Sequence, residues 1–328
     1  MVTTDVAALT RVASLYYTER ATQQEIARRL GVSRQTVSRM LQQAQELGIV
    51  RITISSPVAK VESLARELEQ AFGLAEAVVA IPDAEGEVEA RRAVGRAAAA
   101  LLMQRLRPGM VFGLGWSTTI LEMAEQLSAI EGRGVRVVQL DGVVASGRHP
   151  NEAADILHKA AAALDARAAT LMTPLYVDTQ QLRDALVRDS QIARVMDLAR
   201  RSDAACFGVG PVSRNSNLYA TGYLADDLID QLLAQGAAGE ILGRFFDDDG
   251  NPCGLELSSR TVGLELEALV RVPFRCVVAS GESKVRAISG ALRGTLANAI
   301  VTDEPTARAV LAANGSDGTH GASGASGA

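Results

Sequence analysis

The chain has 328 residues, of which 48% are hydrophobic and 22% charged, with a formal net charge of −5. That is ample material for a large core and suggests two domains, one small and one of about 200–250 residues. No apolar run reaches the ~18 residues of a membrane-spanning helix; the longest helical one, residues 97–103, is flanked by arginine.

An evenly spread negative charge would argue against nucleic acid, but the charge is not even. Residues 1–60 carry eight Lys/Arg against four acids, a net of +4, while the remainder carries 25 against 34, a net of −9. A basic head on an acidic body concentrates phosphate attraction in the head. The three cysteines, Cys206, Cys253 and Cys276, lie far apart with no C-x-x-C spacing. Without a secretory signal they read as buried thiols of a reducing cytosol. The histidines His149, His158 and His320 lack metal-ligand spacing, so neither a metal nor a cofactor is expected.

In chain order, residues 5–17 predict a first helix with Val6, Leu9, Val12, Ala13 and Tyr16 facing inward. Thr22 followed by Glu25 is a capping box that opens a second helix, and Gly31 closes it. Ser33 caps a third, whose apolar residues Val37, Met40, Leu41, Ala44 and Leu47 fall on one face. The opposite face and first turn carry Arg34, Gln35, Ser38, Arg39 and Gln42. Such side chains suit base edges, Arg pairing with guanine and Gln with adenine. Two short amphipathic helices around a tight glycine turn predict a helix-turn-helix, with Ser33, Arg34, Gln35, Ser38, Arg39 and Gln42 on double-stranded DNA. The alternating residues 48–54 then predict a strand like the wing of a winged helix.

After Pro57, the stripe Val61, Leu64, Ala65, Leu68, Ala71 and Phe72 predicts a helix. It would either close the head onto the body or pair with its twin in a dimer. From residue 76, short apolar runs alternate with helical stretches. Strands are expected at 77–81, 110–114, 135–140, 169–172 and 204–209, with helices to 106, to 127, around 151–164 and at 179–200. This is the pattern of a parallel sheet covered by helices. Further strands are expected at 255–257, 261–264, 275–279 and 299–302, and a helix at 283–292. Residues 314–328 hold no packing residues and predict a disordered tail.

Within the body, a buried strand runs into Gly113-x-Gly115-Trp116-Ser117-Thr118-Thr119 and then directly into a helix. Glycines let the backbone approach an anion, and a helix start supplies free N–H groups. The segment therefore predicts a phosphate or carboxylate cradle, although the third glycine of a dinucleotide fingerprint is missing. Lysine is scarce, with only Lys60, Lys159 and Lys284 against thirty arginines. Lys284 follows a strand and a glycine turn, where α/β sheets bind ligands. Glu240 is a lone acid in a small-residue and apolar stretch, suited to sugar hydroxyls.

Taken together, these segments resemble the SorC (sorbitol-operon regulator) family of bacterial sugar-responsive transcription regulators over nearly all of residues 5–313. The resemblance is carried by T-Q-Q-E-I-A-R-R-L-G-V-S-R-Q-T-V-S-R in the head and G-L-G-W-S-T-T in the body. Gly236-Ala-Ala-Gly-Glu240, Arg244-Phe-Phe-Asp247-x-x-Gly250 and Ala279-Ser-Gly281-x-x-Lys284-x-x-Ala287-Ile288 follow in order, then Leu292-Arg-Gly294 and Thr302-Asp303-Glu304. It implies an effector domain like that of sugar-phosphate isomerases and CoA transferases, assembled as a homotetramer on palindromic operators. It further implies that the loop hydroxyls hold the phosphate of a sugar while Glu240 and Lys284 meet the rest. Two departures stand out. Some members hold an aldehyde through a lysine Schiff base, for which Lys159 is the only mid-domain candidate. Where the family is often glycine-rich, this chain reads Leu140-Asp141-Gly142-Val143, so that Asp141 could bind a hydroxyl and discourage a second phosphate.

The expectation is thus an α/β protein with four segments: a winged helix-turn-helix at 1–56, a linker or dimerisation helix at 57–75, an effector domain at 76–313 and a tail at 314–328. Its effector site would comprise Gly113, Gly115, Trp116, Ser117, Thr118, Thr119, Asp141, Glu240 and Lys284, open to a sugar, sugar phosphate or polyol. The expected function is effector-controlled, cytoplasmic DNA binding without catalysis. The alternative is a sugar-phosphate isomerase with an appended head, with Glu240 and Asp141 as acid and base.

Overall fold

The computed structural model describes residues 5–50, 56–129, 134–144 and 152–317, and the chain divides into two compact units, Met1–Ser56 and Pro57–Ala328. In the first unit, α1 (Val6–Ala13) is capped by Asp5 and continues into a π-helical turn, Ser14–Thr18. Helix α2 (Gln23–Leu30) opens on the expected capping box, with Thr22 N donating to Glu25 Oε2 at 2.8 Å and Glu25 N to Thr22 Oγ1 at 3.3 Å. The Thr22 amide and the Thr22 hydroxyl, each donating to Glu25 Oε2 at 2.8 Å, hold the Glu25 carboxyl below its ordinary range. Gly31 ends the helix at φ +67°, where a side chain would be strained. Helix α3 (Arg34–Glu46) follows from the Ser33 cap.

Val12, Leu15, Ile26, Ala27, Val37 and Leu41 form the core of this unit. Val6 and Leu47, both expected inside, are each 55% exposed. They sit at the first turn of α1 and just past α3. Of the expected wing strand, residues 48–50 form a turn, with Val50 N donating to Ala44 O at 3.0 Å; residues 51–54 lie outside the described residues.

The second unit is built on a seven-stranded parallel sheet of order β1-β11-β10-β5-β2-β3-β4 among the described residues. Its strands are β1 (Glu76–Ala80), β2 (Val111–Leu114), β3 (Arg136–Gln139), β4 (Arg167–Ala169), β5 (Ala204–Phe207), β10 (Phe274–Val278) and β11 (Ala299–Asp303). Strand side chains alternate between two cores, as the pleat requires. Ala205, Phe207, Val277 and Ile300 face one side; Ala204, Cys206, Cys276, Val278, Ala299 and Val301 face the other. The first side is covered by α4 (Pro57–Phe72), α9 (Ser190–Arg200), α14 (Val285–Arg293) and α15 (Glu304–Asp317). The second is covered by α5 (Glu87–Arg105), α6 (Thr118–Ala124) and α7 (Glu152–Ala163).

Helix α4 is therefore part of the body. Val61, Leu64 and Leu68 of its stripe are buried in the sheet's core, and Lys60 pairs with Glu304 of α15 at 2.5 Å. Of the rest of the stripe, Ala65 and Phe72 pack partly against the same core, and Ala71 is exposed.

A second, antiparallel sheet of four short strands, β6 (Gly210–Pro211), β7 (Gly239–Ile241), β8 (Arg244–Phe246) and β9 (Pro252–Cys253), lies outside the sequence-based expectation. Strands of two or three residues are too short to carry a hydrophobic period. The hairpin from β7 to β8 turns through Leu242 (φ +53°) and Gly243 (φ +74°), the two left-handed residues of a two-residue turn. This lobe is completed by α10 (Asn217–Ala220), α11 (Asp226–Ala234) and α12 (Leu255–Ser259), with Leu218, Ile229, Leu232, Phe245 and Leu257 in its core.

Several expected elements take a different form. The helix at 179–200 is two helices, α8 (Gln180–Arg188) and α9, because Asp189 caps the second by accepting from Gln191 N and Ile192 N. The strand at 255–257 is α12, begun by Gly254 in the left-handed region. The strand at 261–264 reduces to isolated bridges from Thr261 to Tyr176 and from Gly263 to Asp141. Its carbonyls are already taken: the buried Arg244 guanidinium donates to the oxygens of Ser258, Thr261, Gly263 and Leu264. Helix α13 (Leu266–Leu269) follows. At the other end, α15 runs to Asp317, so residues 314–317 of the expected tail are helical; residues 318–328 lie outside the described residues, as do His149 and His320.

Leu68 is fully buried, so Leu68→Ala should destabilise the protein by ~2–5 kcal/mol. Chemical denaturation followed by circular dichroism measures this; a cost near zero would detach α4 from the body.

Candidate functional site

Two sites emerge, one in each unit. On the first, the polar face of α3 is open. Arg34, Gln35, Ser38, Arg39 and Gln42 are all exposed, as is Ser33. The Ser33 hydroxyl accepts from Thr36 N at 3.1 Å, so its work is that of a cap. Gln42 donates to Glu46 at 2.9 Å within the helix. Arg34, Gln35, Ser38 and Arg39 make no side-chain hydrogen bond or ion pair among the described residues. Their donors are thus available to an outside partner without breaking anything inside.

On the second unit, a cavity of about 270 Å³ opens at the carboxyl edge of the parallel sheet. The segments following β2, β5 and β10 line it, together with Asp303 at the end of β11 and the first turns of α5. Glu240 and residues 215–218 close it from the small lobe. The connections leaving β2 and β5 diverge to opposite sides of the sheet, the topological switch at which open α/β sheets bind ligands.

Trp116, Ser117, Thr118, Thr119, Glu240 and Lys284 all line this cavity. Ser117 Oγ caps α6 by accepting from Ile120 N at 3.1 Å. Thr118 is half-buried and Thr119 is buried. The lining is set by missing side chains on the adjacent strand. A Cβ on Gly208 would collide with Ser117, and one on Gly210 with the Glu240 carboxylate. Backbone leaving β5 and entering β6 thus forms the floor on which both groups rest.

Glu240 Oε2 accepts from Gly243 N at 3.0 Å, and Tyr176 Oη donates to Gly243 O at 2.7 Å, pinning the turn that carries the acid. Burial pushes the Glu240 carboxyl up to about 7, against the pull of the Gly243 amide and of Lys284. Burial also holds the Lys284 ammonium below its ordinary range, opposed by Glu240 and reinforced by Arg91. The Lys284 side chain makes no hydrogen bond or ion pair within 4.0 Å among the described residues. It is a cation held at the cavity without a committed partner.

Three of the expected contacts lie beneath the cavity and do not line it. Gly113 packs against Leu140 and Ser202, and Gly115 against Leu242 and Phe207, where any Cβ would clash. Asp141 is 3% exposed and its Oδ2 accepts from Trp116 N at 3.1 Å, so it supports the loop from below. Lys159 is on α7, paired with Glu125 at 2.6 Å and away from the cavity. Sequence reasoning missed Glu87, Arg91, Asn215, Asn217 and Asp303 among the lining residues. Of these, Asp303 was visible as the acid ending a buried strand; the Gly208-x-Gly210 pair after β5 was a comparable signal. Among the described residues no group of three His, Cys, Asp or Glu side chains is arranged to hold a metal ion, and no helix is long and apolar enough to cross a membrane.

An exposed recognition helix in one unit and a switch-point cavity in the other define a transcription regulator with a ligand-binding α/β domain. Comparison with known proteins makes this specific. Residues 56–312 match the Sugar-bind family, described as "Putative sugar-binding domain", and residues 12–60 match the MarR family. The chain is 33% identical over 299 residues to the deoxyribonucleoside regulator of Bacillus subtilis, spanning 91% of this chain and 95% of that one. It is 31% identical over 312 residues to the sorbitol operon regulator of Klebsiella pneumoniae, spanning 94% and 98%. The crystal structure of full-length SorC from Klebsiella pneumoniae superposes with a TM-score of 0.74 at 30% identity, covering 94% of this chain and 100% of that one. The chain belongs to the SorC family of DNA-binding transcriptional regulators with a sugar-binding domain.

The Glu240 carboxyl is raised from 4.5 to about 7 in the folded protein, so folding takes up protons between those values. The stability it contributes is complete below 4.5 and is lost as pH rises through about 7. Glu240→Gln should therefore gain on the parent protein in thermal stability as pH rises through that window. Melting curves from pH 5 to 8 check the sign; a constant difference would place the carboxyl in solvent.

Proposed function

We propose that the cavity binds a sugar, sugar phosphate or polyol, and that its occupancy sets the affinity of the first unit for an operator. The observation that carries this reading is the combination of Ser117, Thr118 and Thr119 with a lysine that has no internal partner. Hydroxyls and free backbone amides suit a phosphate or a row of hydroxyls, Lys284 suits the anion, and Glu240 suits a hydroxyl donor. On the DNA side, Arg34, Gln35, Ser38, Arg39 and Gln42 read base edges while the basic head attracts phosphates. A bound effector shifts operator affinity by its own differential affinity for the two arrangements of the protein. The reading extends to a homotetramer on a palindromic operator, acting in the cytoplasm.

An isomerase needs an acid and a base on the same substrate. The two carboxyls nominated for that pair from the sequence are separated: Glu240 lines the cavity, whereas Asp141 is buried and accepts from Trp116 N. That observation favours binding without turnover.

Thermal-shift screening with sugars, polyols and their phosphates, followed by DNA mobility shift with the hit, tests the reading. A stabilising sugar that leaves DNA mobility unchanged, or is itself converted, would overturn it. Arg39→Ala should weaken operator binding by ~1–3 kcal/mol and relax preference at one base pair; equal loss on random DNA would contradict base readout. Thr118→Val should raise the effector concentration for half-response about tenfold or more, a charge-assisted hydrogen bond being worth ~1.5–3 kcal/mol. Binding of the operator without effector should be unaltered, and titration in a mobility-shift assay reads both.

A further inference from the structure

Asp141 is a carboxyl with one job and no charge partner. It ends the β3 segment, where Leu140 N donates to Leu114 O at 2.9 Å, and it bridges in antiparallel fashion to Gly263. Its side chain is sealed from solvent at 3% exposure. Oδ2 accepts from Trp116 N at 3.1 Å, while Oδ1 is buried with no hydrogen-bond partner. Among the described residues no basic side chain pairs with it. The groups that face it are Glu240 from β7, which repels it, and the buried Tyr176 phenol. Arg244, beyond Tyr176, has its guanidinium committed to four backbone carbonyls. An ionised carboxylate here is supported by the Trp116 amide and, more weakly, by its own backbone amide, and its Oδ1 is left without a partner, an arrangement that burial makes costly.

The stronger of these, the Trp116 amide, belongs to the cavity loop. Trp116 and Ser117 line the cavity, and the position of the Trp116 peptide sets the path into the Ser117 cap. Ionised, Asp141 holds this peptide with a charge-assisted bond; protonated, it offers a weaker neutral acceptor.

We propose that Asp141 is a positioning residue, a buried carboxyl whose gain of a proton loosens the Trp116–Thr119 loop without any contact between Asp141 and the effector. The inference deepens the effector-site reading by giving that loop a proton-dependent support. Burial raises the Asp141 carboxyl to about 7, opposed by the Trp116 amide and reinforced by Glu240, which puts the change within the neutral range. The sign is fixed: the loop is held above that pH and released below it.

Trp116 is the only tryptophan in the chain, so its fluorescence reports the loop directly and needs no effector. In the full-length, ligand-free protein, emission recorded from pH 5.5 to 8.5 should show a single transition with a midpoint near 7 and a red shift on the acid side. Asp141→Asn keeps an acceptor oxygen for Trp116 N but cannot titrate, and should abolish the transition. Glu240→Gln removes a repulsive neighbour and should keep the transition at a lower midpoint. ¹³C-carboxyl NMR of the aspartate-labelled parent protein should show one buried resonance titrating with the same midpoint, which keeps the test valid if Asp141→Asn folds poorly. A flat fluorescence profile, a transition that survives Asp141→Asn, or one that Glu240→Gln abolishes would overturn the proposal. Because no ligand enters the measurement, failure here is separable from failure of the sugar-binding reading, which the ligand screen decides.

Discussion

Close approach of backbones at the carboxyl edge of the parallel sheet is the constraint on which the cavity depends. Gly115 lets the β2 loop settle on Leu242 of the small lobe, Gly208 leaves room for Ser117, and Gly210 leaves room for Glu240. Each contact brings together two segments that a side chain would otherwise hold apart. The hairpin turn at Leu242 and Gly243 is pinned in its turn by Tyr176, so the acid of the small lobe and the hydroxyls of the sheet are fixed relative to each other. Nothing in the strands themselves does chemistry; they place three loops and one acid around a common volume.

The same edge concentrates electrostatic tension. Two buried carboxyls, Asp141 and Glu240, are raised to about 7, and Glu240 lies near a lysine held below its ordinary range. In each case burial is the leading cause, and the partner that would neutralise it is absent or only partly placed. Sites of this kind are suited to ligands that supply the missing hydrogen bonds or charge. The recognition helix follows the opposite logic. Its Arg34, Gln35 and Arg39 side chains are exposed and make no hydrogen bond or ion pair among the described residues, so an outside partner could engage them with little loss inside the protein.

Much of this was legible in the chain wherever the signal is local. The capping box at Thr22 and Glu25, the left-handed Gly31 and the Ser33 cap are short-range features that sterics and orphan N–H groups dictate. The strand-to-helix loop at Trp116–Thr119 was equally plain, since a buried run, two glycines and three hydroxyls lie side by side. What was not legible depended on partners far along the chain. Asp141 reads in the sequence as a hydroxyl contact because it stands where the resembled family is often glycine-rich; its burial, its bridge to Gly263 and its bond to the Trp116 amide depend on segments far along the chain. The expected strand at 261–264 was lost to Arg244, whose claim on its carbonyls no local pattern reveals. The stripe of α4 was visible, but not what covers it, because α15 and the sheet's last strands arrive much later.

A cavity floor made of main chain has an evolutionary corollary. The peptide groups at Gly208 and Gly210 offer no side chain to exchange, and any replacement intrudes on Ser117 or Glu240. Descendants of this protein that come to recognise a different molecule must therefore be altered at the rim, through positions such as Glu87, Arg91, Asn215 and Asn217. Diversity among relatives should accumulate around the mouth while the base stays invariant.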